Sequence, residues 1–176
     1  MGKTPNLAAV SSPDTSLERY QAQIEILRQY GLQTWAAFTL GHDHDTVESI
    51  QQVLDFALEN RFAFAAFNVL MPYPNTPLYR RLQSEGRLLY GGKWWLHPDY
   101  RFNYAAFQPR NMSADDLTQS GLHCRQEFNS LRAIVYRALE PRTNLRSLYR
   151  FAIYAIYSRL FRQETFKKQG MRLGMG

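Results

Sequence analysis

Cysteine is nearly absent from this 176-residue chain, which has only Cys124. A lone thiol cannot build an internal disulfide framework or a self-contained cysteine-ligated metal site, and it points to a reducing compartment. Long apolar runs are missing as well. No stretch of about 18 uninterrupted apolar residues occurs, which argues against a membrane-spanning helix. The start "MGKTPNLAAV" has no apolar core of signal-peptide length, and Asn6 stands where a myristoylation signal needs Ser or Thr. The expected location is cytoplasmic. Acid is scarce in one region only: residues 141–176 hold 8 Lys/Arg against the single Glu164, whereas residues 1–140 hold 13 against 14 Asp/Glu. The basic character therefore belongs to the tail and to the tail's partners.

What is present is apolar enough to fold. The chain is 45% hydrophobic and 14% aromatic, which argues against disorder. In residues 14–30, Leu17, Tyr20, Ile24, Leu27 and Tyr30 recur at helical spacing, with Pro13-Asp14 before them and Gly31 after. "LQTWAAFTLG" then reads as a buried strand over residues 33–40. Asp45, with Glu48 three residues on, is expected to cap the next helix through a capping box. Ile50, Val53, Leu54, Ala57 and Leu58 give that helix its apolar face, ending near Asn60. A second near-continuous apolar run, "FAFAAFNVLM", follows. Helix, strand, helix, strand, with each strand expected to be buried on both faces, is the pattern of parallel βα units.

The second strand runs into "MPYPNTP". Pro72 and Pro74 end the ladder while keeping the chain extended, Asn75 suits a turn with positive φ, Thr76 suits a helix cap and Pro77 the first helical position. In parallel α/β sheets ligands bind at this carboxyl edge. Beyond residue 86 the chain is aromatic and turn-rich. Trp94, Trp95, His97, Tyr100, Phe102, Tyr104 and Phe107 fit either the lining of an apolar pocket or the core of a helix-poor segment. Ser113 with Asp116 is expected to open a helix reaching about Glu140 before Pro141, and Asn144 to begin a last helix to about residue 168, with "QGMRLGMG" fraying. The division expected is residues 1–86, 87–112 and 113–176.

His42, Asp43 and His44 lack a third convergent ligand nearby, so the loop reads as polar with a helix cap rather than as a metal site. His123 and Cys124 are adjacent on a helix and point about 100° apart, which disfavours a nucleophile and base pair. The last helix interleaves apolar residues with Arg146, Arg150, Arg159, Arg162, Lys167 and Lys168. The reading preferred for it is a packed helix with a solvated basic side; docking on an anionic membrane surface is the alternative, and nucleic acid is set aside.

"GLQTWAAFTLGHDHDT", "FAFAAFNVLMPYPNTPLYRRLQSEGRLL" and "GGKWWLHPDYRFNYAAFQPRNMSADDL" together resemble the carboxyl-terminal part of a radical S-adenosylmethionine enzyme of the cobalamin-binding class, hopanoid-biosynthesis methylases among them, over residues 5 to 140 or so. The resemblance implies the last two βα units of a partial (βα)6 barrel, an aromatic irregular segment and a helical carboxyl-terminal region. By position it places Phe38, Leu40 and Gly41 near the cofactor's adenine and methionyl groups, and Leu70, Met71 and Pro72 under the adenine. Tyr73, Trp94, Trp95 and His97 fall on the substrate side, with no catalytic residue and no metal ligand assigned. The parent enzymes would carry S-adenosylmethionine, a 4Fe–4S cluster and, in some, cobalamin. They would cleave the cofactor reductively, form a 5′-deoxyadenosyl radical or use methylcobalamin, and modify an unactivated carbon, with a lipid among the expected substrates.

The departures are as informative as the match. Cluster ligation needs thiolates from a CxxxCxxC loop, and the one cysteine lies in the wrong segment. "NTP" stands where the family has "GTP". The expectation is a piece of a truncated or frameshifted gene, or half of a split enzyme, inactive without an amino-terminal half that carries the cluster loop. The alternative is a non-catalytic module that binds a membrane surface or partner protein through the basic helix.

Overall fold

The computed structural model describes residues 17–172. The onset expected for the first helix, and the amino-terminal end of the resemblance, lie outside this range. Helix α1 (Leu17–Gln29) leads into strand β1 (Trp35–Leu40), helix α2 (Val47–Glu59) and strand β2 (Phe64–Val69), followed by α3 (Pro77–Ser84). Two short 3₁₀ turns, Tyr90–Gly92 and Trp94–Leu96, mark the irregular segment. Helices α4 (Ala114–Phe128), α5 (Leu131–Ala138) and α6 (Leu148–Lys168) complete the order. The fold is mixed α/β, and no closed barrel forms among the described residues.

β1 and β2 pair in parallel, Trp35 opposite Phe64 through Leu40 opposite Val69, joined by α2 as the crossover. One face of this pair carries Phe38, Leu40, Phe67 and Val69, all buried against α2 and α4 together with Ile50, Leu54, Leu117 and Phe128. At roughly 25 cal/mol per Å² of apolar surface removed from water, this shared core is what holds α4 to the sheet. It draws on residues from both sides of the aromatic segment and on Phe107 within it.

Several local expectations are met. Asn75 has φ +65°, and the Thr76 side chain accepts from the Tyr79 N–H ahead of Pro77 at the first helical turn. Ser113 and Asp116 form a reciprocal capping box on α4.

Others are corrected. The cap of α2 is Thr46 paired with Ser49, not Asp45 with Glu48. The buried Asp45 carboxylate instead accepts from the Gly41 and His42 N–H groups at 2.8 and 2.9 Å, satisfying two donors freed where β1 ends. The helix expected to run from Ser113 to Glu140 is two helices. Asn129 turns its side chain onto the Arg125 carbonyl and Ser130 caps α5, so side-chain bonds replace helical ones at the break. α6 starts at Leu148 under a Ser147 cap. Asn144, expected to start it, is buried instead and donates to the Arg137 carbonyl while accepting from Gln33. Part of the terminal segment is tied rather than frayed: Phe102 exchanges main-chain bonds with Gly170 and Met171. Residues 173–176 lie outside the described range.

Candidate functional site at the carboxyl edge of the strands

The site residues expected from the sequence gather at one edge in three different settings. Phe38 and Leu40 turn toward the helices; Phe38 stacks on Phe67 at 5.3 Å. Any ligand approaching the opposite face meets them only through their main chain. Gly41 follows with φ +105°, and a Cβ there would come 2.7 Å from Leu117 Cδ2. Leu70 continues the pairing through its N–H to the Leu40 carbonyl at 2.8 Å. Pro72 is fully buried, its carbonyl accepting from Trp94 Nε1 at 3.1 Å.

The face opposite Phe38 and Leu40 alternates Trp35, Ala37 and Thr39 with Phe64, Ala66 and Asn68. At its amino-terminal end α6 covers it: Phe161 lies 4.9 Å from Trp35 and 5.5 Å from Phe64, and Tyr154 stacks on Phe64. Toward the carboxyl end only Ala37, Thr39, Ala66 and Asn68 remain, small or polar and partly to fully exposed. This patch presents the Thr39 hydroxyl and the Asn68 amide beside two alanines. The sequence reading missed these four. Strict two-residue alternation away from Phe38 and Leu40 was the signal that would have found them.

The aromatic segment forms a cluster of its own. Trp94 and Tyr100 are buried with Ala106, and Met71, Tyr90, Trp95 and Tyr104 pack around them. Of the two readings left open, self-packing describes these rings. Burial, reinforced by Tyr90 and Tyr73, pushes the Tyr100 phenol up to about 12. Tyr73 and His97 stand exposed at the rim, Tyr73 edge-on to Trp94 at 6.0 Å and His97 5.1 Å from Tyr90. A cavity of about 290 Å³ lies between α1, β1 and α2, lined by Ile24, Leu27, Phe38, Ile50 and Phe56 and reaching Ala37 and Thr39 along β1, with an unpartnered buried Nε2 on His42.

In the loop after β1, Asp43 is engaged by arginines from the aromatic segment and α3: Arg81 at 2.5 Å, Arg87 at 3.2 Å and Arg110 at 3.5 Å. Partial burial opposes ionisation, but the bonds and charge of Arg87 and Arg81 outweigh it and hold the carboxyl below its ordinary value.

The sheet's two outer edges differ. Phe64 donates to the Thr34 carbonyl and Leu70 to the Leu40 carbonyl, so the main-chain groups of Trp35, Ala37 and Thr39 on β1, and of Ala65, Phe67 and Val69 on β2, point outward. Beyond β2, Arg125 bonds the Phe67 carbonyl at 2.7 Å and Arg137 the Phe62 and Ala63 carbonyls at 3.2 and 2.7 Å. Beyond β1, no main-chain hydrogen bond from another described residue reaches those outward groups.

A 4Fe–4S cluster does not fit this chain. Its sole thiol, Cys124, is 1% exposed, sits 3.8 Å from the Ile50 carbonyl, and is pushed by burial up to about 12. No group of three or more His, Cys, Asp or Glu converges among the described residues.

No known family profile matches the chain, and no solved structure matches it. Curated proteins do. The chain is 24% identical over 131 residues to bacteriochlorophyllide d C-12(1)-methyltransferase of Chlorobaculum tepidum, covering 74% of this chain and 27% of that protein. It is 33% identical over 67 residues to hopanoid C-2 methylase of Rhodopseudomonas palustris, 38% of this chain and 13% of the methylase. It is 21% identical over 127 residues to anaerobic magnesium-protoporphyrin IX monomethyl ester cyclase of Cereibacter sphaeroides, 72% and 20% of the two. The chain thus spans about a quarter or less of the length of these relatives. The resemblance in the sequence rests on homology: at low identity and over part of its length, the chain is related to cobalamin-dependent radical S-adenosylmethionine methyltransferases and to a radical S-adenosylmethionine cyclase.

Proposed function

We propose that this chain is the carboxyl-terminal portion of a radical S-adenosylmethionine enzyme, either a gene piece or one half of a split enzyme, contributing the last two βα units of a partial barrel. The observation that carries the reading is the asymmetry of the sheet: the outer edge of β2 is closed by arginines, while β1 pairs with no strand but β2 among the described residues. An unpaired edge is a template for a further strand. The order helix, strand, helix, strand calls for that strand beside β1, because a crossover helix such as α1 joins neighbouring parallel strands.

In this reading Ala37, Thr39, Ala66 and Asn68 form part of the S-adenosylmethionine surface, with main-chain contributions from Phe38, Leu40, Gly41, Leu70, Met71 and Pro72. Tyr73 and His97 belong to the substrate side, and Trp94 and Trp95 support them from behind. The cluster that cleaves the cofactor comes from a complementary polypeptide, since the donor set is missing here. Cobalamin likewise belongs to that polypeptide where it is used. The named substrates of the relatives, bacteriochlorophyllides, a hopanoid and a porphyrin ester, make a large, mostly apolar molecule the proposed substrate class.

The test begins with the DNA upstream of the Met1 codon, read for a frame encoding CxxxCxxC. Its product is then co-expressed with this chain, reconstituted anaerobically with iron and sulfide, and assayed for 5′-deoxyadenosine. Iron-dependent cleavage in the mixture and not with this chain alone is expected. A cluster-bearing partner that neither associates with the chain nor cleaves the cofactor in its presence overturns the reading.

A further inference from the structure

Helix α6 is apolar on two sides, and only one of them is covered. At 100° per residue, Tyr154 and Ser158 define the buried side, with Phe161 close to it against Trp35. Leu148, Ile156, Leu160 and Phe166 fall on an arc of about 120° centred opposite Tyr154. All four are exposed, Leu148 by 85% and Ile156 by 59%. Arg159 and Lys167 share the arc. The tail's one acid, Glu164, lies outside it and pairs with Lys168 at 2.7 Å. Two basic residues are committed inward: Arg162 bonds the Asn129 carbonyl and Arg150 the Gly31 carbonyl.

We infer that this outward face of α6 docks on an anionic lipid surface, lying in the interface along its length. Charge selects that occupant. The arc pairs apolar side chains with cations and no acid, and residues 141–176 carry a net +7 while residues 1–140 carry −1. In front of a negative surface this dipole turns α6 toward the lipid and the rest of the chain away. The apolar line runs about 27 Å from Leu148 to Phe166, a length suited to lying in the headgroup region. No helix among the described residues is long and apolar enough to cross a membrane. A protein groove would be read by a register of polar partners. The arc offers no carboxylate to set one, whereas a fluid surface needs none.

The experiment uses the full chain and sedimentation with phosphatidylcholine vesicles, with and without phosphatidylglycerol. Binding to the anionic vesicles alone is expected, collapsing at 1 M salt, where the screening length is about 3 Å. Arg159→Gln and Lys167→Gln each weaken it about fivefold. Ile156→Asn combined with Leu160→Asn weakens it at least tenfold. Because all four positions are exposed, the thermal transition of each variant serves as the folding control and stays unchanged. Arg162→Gln, which removes an inward bond, lowers the transition and affects binding less than Arg159→Gln. Equal binding to neutral and anionic vesicles, no binding to either, or indifference to the outward substitutions overturns the inference. A concentration-dependent dimer abolished by the Ile156→Asn and Leu160→Asn pair, without vesicle binding, would assign the face to a second copy instead.

Discussion

Arg125 on α4 donates through Nη1 to the carbonyl of Phe67 at 2.7 Å and through Nη2 to Gln169 at 2.9 Å, so one side chain ties the outer edge of β2 to the end of α6. A carbonyl that a further strand would have paired is thereby satisfied from within the chain. Burial lowers the guanidinium to about 10, a sign that this charge is held by neutral carbonyl and amide oxygens rather than by a carboxylate. The same device recurs at the other end of β2, where Arg137 lies 3.7 Å over the Phe128 ring and serves three carbonyls, those of Phe62, Ala63 and Phe128.

Arg137 is therefore expected to dominate local stability. Arg137→Met keeps much of the volume but leaves three buried carbonyls without a donor, each costing about 1–3 kcal/mol before relaxation. A net loss on the order of 3 kcal/mol is expected in urea unfolding, read as a lower midpoint at unchanged slope. A loss below about 1 kcal/mol would mean that water reaches these carbonyls and that the β2 edge is not closed.

Gly41 joins the end of β1 to the Asp45 loop under a backbone constraint that no other residue type meets. Its φ of +105° strains any side chain, and a Cβ would overlap Leu117 Cδ2 at 2.7 Å and press on Phe107 at 3.3 Å. Gly41→Ala should destabilise by about 2 kcal/mol or more. Gly86→Ala separates the two causes, since at φ +68° with nothing within 4 Å it bears the strain without the overlap. Equal losses at the two positions would remove the packing part of the argument.

The elements with a local signal were legible in the sequence. The Ser113–Asp116 box, the Asn75-Thr76-Pro77 turn and both strands follow from short-range chemistry, and their cores from apolar spacing. What escaped depends on distant contacts. Asp45 could not be seen as a clasp for Gly41 and His42 because a capping motif and a loop clasp use the same residue type. The break at Asn129-Ser130 competes with a continuous helical pattern, and long-range bonds such as Asn129 to Thr165 help settle it. The open face of Ala37, Thr39, Ala66 and Asn68 escaped because its residues are small, and only the register of β1 on β2 brings them together.

Cys124 gives a simple check on the core. Its thiol is buried between α2 and α4, and burial raises it to about 12, so thiolate is nearly absent at neutral pH. An aromatic disulfide reagent at pH 8 should leave the native chain unmodified and titrate one thiol once urea unfolds it. Rapid labelling without denaturant would place α4 away from the sheet.

Asp43 provides the pH test. Its carboxyl is held below the ordinary 3.8 because the bonds and charges of Arg87 and Arg81 overcome the penalty of partial burial. A carboxylate lowered on folding contributes stability that is fully present above its unfolded value, and that is lost as pH falls through the folded one. The cluster, with Arg87 and Arg110 also bonding Glu85, should thus add stability above about pH 4 and lose it on further acidification. Asp43→Asn cannot ionise and removes that part of the dependence. The difference in melting temperature between the parent chain and the variant should be constant from pH 7 to pH 5 and close toward pH 3. It should also shrink in high salt, because the arginines are partly exposed and water screens them. A difference that persists at pH 3 would assign the effect to the amide placed against Arg81 and Arg87 rather than to the lost charge.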